Sequence, residues 1–527
     1  MKHFNVTFKP DNKKISIHSG ATILEAAGQA GIIMSTPCGG KAICKKCIVT
    51  IGPESNEVLA CQHKIQTDLT VTIPLTSRFF EQKILASGIE TKSKFEHDIY
   101  KKYLKSGDHD QIYGVAVDIG TTTIVAKLID MKDGSPLATE SELNPQTIHG
   151  DDVISRIAFA QTDDKLNHLQ NLIVECLNTL ISRLCEQANI KSDLIYEICA
   201  VGNTTMNHIF LKFPIKQLGR IPFEAYSLDS QDRTLAELNL KINPSANIHT
   251  PPNIAGFVGS DTTAVTLAVD TNSNNENILI VDIGTNGEIV LAAGDKLYAA
   301  SCAAGPALEG ARITCGSRAT QGAIEAVVIN ENDIDIDVIG RCRPRSICGS
   351  GLIDALAVLL NLGVIDSSGR FIERKKLQEI LPEKILERIT EKDGQPAFCI
   401  HSGDDQSILL TQRDIRQGQL AKAAIRAGIK LLQNKTGIDD SSLDKIYLAG
   451  AFGNYIRKES AIKIGLLPDV TPEKIHFVGN AASSGARIML ISSHARQAAK
   501  RLAKKIEYVE IANDPKFTET YTDSMLF

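Results

Sequence analysis

At 527 residues the chain exceeds one ordinary domain and predicts two to four. Its 43% hydrophobic and 23% charged residues are those of a globular protein, and 5% aromatics with no Trp argue against a stacking surface for sugars or bases. A net charge of −5 argues against a nucleic-acid partner, and with no stretch approaching about 18 uncharged apolar residues, neither a membrane span nor a membrane partner is expected.

The start, MKHFNVTFKPDNKK, lacks the apolar run of a secretion signal, so the twelve cysteines point to a reducing compartment and the cytoplasm is the expected location. Clustered cysteines there more often mean metal or catalysis than disulfides. Residues 1–76 predict a small β-rich domain. FNVTF and KISIH alternate around the turn KPDNK as a hairpin, and TILEAAGQAGI has helical spacing ending at Gly31. CIVTIG then forms a strand, an irregular stretch follows, and LTVTIP closes the unit. Eight lysines against five acidic residues give this domain +3, which makes Lys41, Lys45 and Lys46 a candidate docking rim for an acidic partner.

Between helix and strand lies PCGGKAICKKC, so that Cys38, Cys44, Cys47 and Cys61 fall as C-x5-C-x2-C-x13-C. A thiolate cluster needs soft anionic ligands within a few ångströms of each other and backbone able to wrap around them, which Gly39 and Gly40 permit. A structural zinc site is the competing chemistry, but it normally pairs two C-x2-C knuckles and only one is present. The order of hairpin, helix, cysteine loop and strands resembles the β-grasp ferredoxins. That resemblance implies a [2Fe–2S] cluster on the four cysteines, although the first gap is one residue longer than the plant-type spacing.

Residues 77–110 are charged and weakly periodic, a partly helical linker of about 35 residues. An α/β pattern then runs through 111–527 and contains a repeat. VAVDIGTTTIVAKLID (115–130) and LIVDIGTNGEIVLAAG (279–294) both end an apolar strand in VDIGT and continue into a second strand, 164 residues apart. The offset predicts two duplicated lobes, about 111–270 and 275–510. A phosphate needs backbone N–H groups, small hydroxyls and a carboxylate to hold Mg²⁺. Asp118 with Gly120, Thr121, Thr122 and Thr123 supplies all three, and Asp282 with Gly284, Thr285, Asn286, Gly287 and Glu288 supplies them again. No G-x4-G-K-[ST] motif is present, which excludes a P-loop. IYLAGAFGNYI (446–456) and VGNAASSGARI (478–488) predict glycine-rich turns, with Gly450, Gly453, Gly479, Asn480 and Gly485 close to a base and ribose.

These motifs in this order resemble the acetate kinase/Hsp70/actin (ASKHA, ribonuclease H-like) superfamily, which binds ATP between two lobes. A ferredoxin domain joined to such an ATPase resembles one family in particular, the ATP-dependent reductive activators of corrinoid proteins. NPQTIHGDDVISRI (144–157), VGNTTMNHIF (201–210), SCAAGPALEG (301–310), ICGSGLIDAL (347–356), DIRQGQLAKAAIRAGI (414–429) and IEYVEIANDPKF (506–517) fit it, over nearly the whole chain. Larger members carry a further middle domain after the linker, for which the linker here leaves no room.

The resemblance implies one-electron reduction of Co(II) to Co(I) in a corrinoid protein or corrinoid methyltransferase, coupled to ATP. It assigns the iron to Cys38, Cys44, Cys47 and Cys61, Mg²⁺ and the attacking water to Asp118 and Asp282, and phosphates to Gly120–Thr123 and Gly284–Gly287. An electron-donor protein and pairing of two chains through the ATPase domain are further expectations. The loop 301–319 is a candidate corrinoid-facing segment or a plain lobe loop. Cys342 and Cys348 are expected to be buried, inert thiols, and His149 and His208 to be structural. Rival functions are an activator of another low-potential enzyme such as a 2-hydroxyacyl-CoA dehydratase, a metabolite kinase with a redox-sensing domain, and a nucleotide switch that moves no electron.

Overall fold

The computed structural model describes the chain apart from residues 1, 11, 31, 33, 35–41, 43–46, 53–55, 75–98, 101–102, 104–110, 151, 270, 272–275, 285, 311, 404–406 and 451–455. In the N-terminal unit, β1 (His3–Lys9) and β2 (Lys13–His18) pair antiparallel and bury Val6, Phe8 and Ile17. Helix α1 (Ile23–Gln29) begins where it does because Thr22 and Glu25 cap each other: Thr22 N donates to Glu25 Oε2 at 2.6 Å and Glu25 N to Thr22 Oγ1 at 3.2 Å. It ends at Gln29, short of the expected Gly31. Strands β3 (Ile48–Ile51), β4 (Asn56–Leu59) and β5 (Leu69–Thr72) complete a sheet of order β2-β1-β5-β3-β4. β4 lies in the stretch expected to be irregular. NEVL does not alternate, and its pairing with β3 rather than its own pattern makes it a strand.

Only Ile99, Tyr100 and Tyr103 of the expected linker 77–110 are described, all helical. Ile99 is buried against the ATPase region, and the Tyr103 hydroxyl donates to Glu197 Oε2 at 2.8 Å.

The first lobe comprises β6 (Tyr113–Ile119), β7 (Thr123–Asp130), β8 (Pro136–Leu143), α2 (Val153–Phe159), α3 (Asp163–Ala188), β9 (Ile195–Gly202), α4 (Thr204–Phe210), β10 (Gln231–Thr234), β11 (Asn247–Thr250) and α5 (Ser260–Val269). Its sheet order is β10-β11-β9-β6-β7-β8. The second lobe repeats the plan with β12 (Ile278–Ile283), β13 (Gly287–Ala293) and β14 (Lys296–Cys302). Two small sheets follow, β15 (Ala323–Asn330), β16 (Asp333–Val338) and β17 (Ser346–Ile347), then β18 (Ile389–Lys392), β19 (Gln395–His401) and β20 (Ile408–Thr411). They are accompanied by α6 (Gly349–Asn361) and α7 (Gln412–Thr436), after which β21 (Lys445–Ala449), β22 (Ile475–Gly479), α8 (Ala481–Ile491), α9 (Ser493–Lys505) and β23 (Ile506–Tyr508) complete an order β22-β21-β12-β13-β14-β23. β6 and β12 are each antiparallel to the next strand and parallel to a later one. Flanked on both sides, YGVAVDI and ILIVDI are apolar along almost their whole length.

α5 and α8 cross between the two sheets, and a Cβ at Gly485 of α8 would lie 2.2 Å from the Ala264 carbonyl of α5. Their crossing packs a core that takes Ala116 and Val201 from the first lobe and Ile280 and Val290 from the second. α8, expected wholly within lobe II, thus also covers the lobe I sheet. The N-terminal unit meets lobe II through His3 Nε2 on β1 and Asp337 Oδ1 on β16, 2.7 Å apart.

Candidate active site

Each VDIG segment delivers its aspartate to the end of a central strand and turns at once. Gly120 N donates to Thr123 O at 3.0 Å in one turn, and Gly284 N to Asn286 O at 3.1 Å in the other. The two turns face each other across a cleft of about 450 Å³. Asp118, Gly120, Thr121, Thr122, Thr123, Asp282, Gly284, Asn286, Gly450 and Asn480 line it. Thr285 and Gly453 lie outside the described residues. Gly287 and Gly479 do not line it. Gly287 opens β13 against Cys302 and Ile425, and Gly479 stands behind the wall, its carbonyl accepting from Gly450 N at 3.0 Å. Gly450 has φ +90°, and a Cβ there would sit 2.6 Å from Asp282 Oδ1, so a side chain at this point would push into the carboxylate.

The first turn is held from behind by the stretch NPQTIHGDDVISRI. Asn144 N donates to Thr122 O at 2.8 Å and Asn144 Nδ2 to Gly120 O at 2.9 Å. The fully buried Arg156 sends Nη2 to Thr121 O at 2.5 Å, Nη1 to Gln146 Oε1 at 3.1 Å and Nε to Gly150 O at 3.0 Å. Asn203, which caps α4, donates to Thr121 Oγ1 at 2.9 Å. With the carbonyls of Gly120, Thr121 and Thr122 thus engaged on the protein side, the turn is a fixed surface rather than a flexible loop.

Five carboxylates line the cleft: Asp118, Asp261, Asp282, Glu288 and Glu309. Burial raises Asp118 to about 6, against the Asn480 amide that donates to its Oδ2 at 2.8 Å and the Lys127 ammonium. Burial raises Asp282 to about 7, with Asp261 and Asp118 adding repulsion. Asp261 and Glu288 are pushed up by the same combination, burial first and neighbouring carboxylates second. Such a set is short of positive charge. Among the described residues no three His, Cys, Asp or Glu side chains converge to hold an ion alone. The cleft carboxylates fit Mg²⁺, which is commonly held by one or two carboxylates together with phosphate oxygens and water.

Sequence reasoning missed several cleft residues. Asp261 sits in the first turn of α5, following GFVGS; Asn203 and the Cys348–Ser350 start of α6 come from stretches singled out for family likeness without a role, and Glu309 and Arg318 from the loop 301–319, expected to face the corrinoid or to be a plain lobe loop. Gly485 was expected near a base, but its close approach is the helix crossing with Ala264. The loop 301–319 contributes Glu309, Arg318 and Ala319 to the cleft. Cys348 is buried, as expected, whereas Cys342 is exposed: it follows the tight turn at Gly340 and Arg341 on the surface of the small β15–β17 sheet. His208 is structural, its Nδ1 2.7 Å from Thr204 O, and His149 stacks on Phe159.

Of the cluster cysteines, Cys38 and Cys44 lie outside the described residues, as do Lys41, Lys45 and Lys46. Cys47 and Cys61 are described, and both are buried. Ala60 N donates to Cys47 O at 2.9 Å, which places both thiols at the same end of the β3–β4 hairpin, where the cysteine loop rejoins the sheet. Two cysteines held at one end of a hairpin fit a thiolate-held cluster.

Two duplicated lobes closing on a carboxylate-lined cleft, preceded by a β-grasp unit with two buried cysteines at one hairpin end, define an ASKHA-type ATPase fused to a [2Fe–2S] ferredoxin domain. The family models agree. The "2Fe-2S iron-sulfur cluster binding domain" matches residues 4–74, the "RACo middle region" 113–274, and the "C-terminal domain of RACo the ASKHA domain" 276–527. The chain belongs to the RACo family, the reductive activators of corrinoid proteins. The region that the family model calls the middle is present here, as the first lobe and not as an insertion after the linker.

The corrinoid activation enzyme RamQ of Eubacterium limosum is 34% identical over 99% of both chains. The [Co(II) methylated amine-specific corrinoid protein] reductase of Methanosarcina barkeri is 25% identical over 78% of this chain and 76% of its own. Among solved structures, a reductive activator for corrinoid, iron–sulfur protein matches with a TM-score of 0.72 and 31% identity, covering 99% of this chain and 98% of that one.

Proposed function

We propose that this protein uses ATP to drive one-electron reduction of a corrinoid protein, Co(II) to Co(I), for corrinoid-dependent methyl transfer. The observation that carries the reading is the union in one chain of a β-grasp unit that buries Cys47 and Cys61 in one core and a duplicated, acid-lined cleft, in a chain 34% identical to a corrinoid activation enzyme over 99% of its length. Bound on Cys38, Cys44, Cys47 and Cys61, a [2Fe–2S] cluster would supply a one-electron carrier refilled by a low-potential donor protein. Mg²⁺-ATP would lie between the turns at Gly120–Thr123 and Gly284–Gly287, with Asp118 and Asp282 holding the metal's water shell and orienting the attacking water. Gly450, Gly453 and Asn480 would carry the adenosine side, with Gly479 bracing Gly450 from behind.

The energetics explain why ATP is needed. Plant-type clusters lie near −400 mV, and a resting corrinoid's Co(II)/Co(I) couple is expected lower still. Each 100 mV uphill costs about 2.3 kcal/mol, and about 59 mV shifts a one-electron equilibrium tenfold. ATP offsets this only if one nucleotide state prefers the complex in which cobalt is easier to reduce. Lobe closure is the candidate device, because Asn480, at the start of α8, bonds Asp118 across the cleft.

The test is Co(I) absorbance in a corrinoid partner with ATP, with a non-hydrolysable analogue and without nucleotide, using reduced protein. Co(I) forming only with ATP is expected. Equal yields in all three overturn the coupling.

A further inference from the structure

We infer that Arg318 is a catalytic residue of ATP hydrolysis, a guanidinium delivered from lobe II to the terminal phosphate. The inference rests on the proposed placement of ATP in the cleft.

Three observations carry it. The first is position: Arg318 lines the same cleft as Asp118, Gly120 and Asp282. The second is availability. Five carboxylates line that cleft, Glu309 of the same loop among them, yet the Arg318 guanidinium has no hydrogen-bond or ion-pair partner among the described residues, and the residue is exposed. An arginine whose purpose was to neutralise the acids would bond one of them, as Arg388 bonds Asp333 at 2.6 Å.

The third is rigidity. The backbone that carries this free side chain is pinned on both sides. Ser317 N donates to Ile347 O at 2.9 Å, and Ser317 Oγ and Thr320 N both donate to Arg318 O at 2.8 Å. Upstream, Thr314 donates twice to the buried Asp414, and Gly310, at φ +80°, lets the loop close on Ser317, where a Cβ would lie 2.0 Å from the carbonyl oxygen. A solvated arginine needs no such mount.

The chemistry calls for a cation there. In hydrolysis the water oxygen forms a bond to the γ-phosphorus while the bond to the β–γ bridging oxygen breaks. The bridging oxygen leaves with the electron pair as ADP, one water proton stays on the inorganic phosphate and the other is released to solvent. Charge builds on the bridging and equatorial oxygens. Mg²⁺ held on the carboxylates would neutralise one side of the phosphates. A planar guanidinium from the other wall matches two phosphate oxygens at once and is strongest in a site from which water is displaced. Because Arg318 sits in lobe II and the Thr121 turn in lobe I, its contact would be completed by closure, tying hydrolysis to the movement that the proposed function requires.

The experiment uses the full chain with R318A and R318K, measuring MgADP affinity and the kcat and KM for ATP with corrinoid partner present. R318A is expected to lower kcat by about 100-fold or more, to leave MgADP affinity within about threefold and to regain activity with added guanidinium salt, with R318K falling between. Superimposable thermal melts are expected, since the side chain is exposed. R318A hydrolysing ATP within twofold of wild type overturns the inference and leaves the ATPase reading intact, as does an unchanged kcat with ADP and ATP affinities falling together. A wild-type chain that binds no MgADP overturns the ATPase reading and this inference with it.

Discussion

The two VDIGT hairpins share strand order and turn, yet their surroundings differ. The first is locked from behind by Asn144, Arg156 and Asn203, and its aspartate is bonded by Asn480 and lies near Lys127. Asp282 has Asp261 and Asp118 as the charges that perturb it, and Gly450 backbone packed against it. Burial raises both aspartates; the Asn480 amide and Lys127 hold Asp118 back to about 6, whereas Asp261 and Asp118 push Asp282 further, to about 7. Duplication therefore preserved the backbone cradle while electrostatics diverged: one turn is a braced shelf and the other a carboxylate that lacks a cation.

Removing either acid tests whether both halves are needed. D118N and D282N are each expected to cut ATP hydrolysis about 10²–10⁴-fold, and full activity in either would break the symmetry of the reading. Arg156 belongs to the first hairpin alone. R156L should cost about 3 kcal/mol or more in urea unfolding, since it strands three oxygen acceptors that are now bonded to a charged group. N480A takes the donor from Asp118, raising its pKa further, and should weaken MgADP binding about tenfold at pH 6.5 but less at pH 8.

A pH series sharpens the contrast. Mg²⁺-nucleotide needs charged carboxylates, so its affinity should fall as pH drops through 7 and 6, the region of Asp282 and Asp118. The sign for stability is opposite. The folded, nucleotide-free protein takes up protons on these acids before the unfolded chain does, so it gains stability as pH falls from above 7 toward 4, a gain that bound MgADP should erase. D261N relieves repulsion on Asp282 and should move the acid limb of MgADP binding to lower pH; a limb that stays in place would show that Asp261 does not reach that charge. The smallest effect is expected for H3A, which removes the contact with Asp337 and should cost about 1 kcal/mol or less while leaving ATP hydrolysis unchanged.

Much of the site was legible because its signals are local. Asp118, Gly120 and Thr121 announce themselves by type and order, and the 164-residue repeat turns one weak motif into a paired one. The capping box at Thr22 and the alternation of β1 and β2 are equally local. Gly485 shows the limit: a glycine that permits close approach does not say what approaches, and here it is the Ala264 carbonyl. Asp261 had no motif to mark it, and the loop holding Arg318 did not point to the cleft, because their place there arises from facing side chains far away in the chain.

By itself the sequence determined the duplicated lobes, the cysteine spacing and the family, since hydrophobic periodicity, turn chemistry and ligand spacing are written in neighbouring residues. Only the tertiary structure decided which acids repel one another, that Arg156 and Asn144 brace the first turn, and that a free arginine faces the cleft. Coulombic and packing energies depend on separations in space, and these exist only once the sheets and the α5–α8 crossing have brought distant segments together.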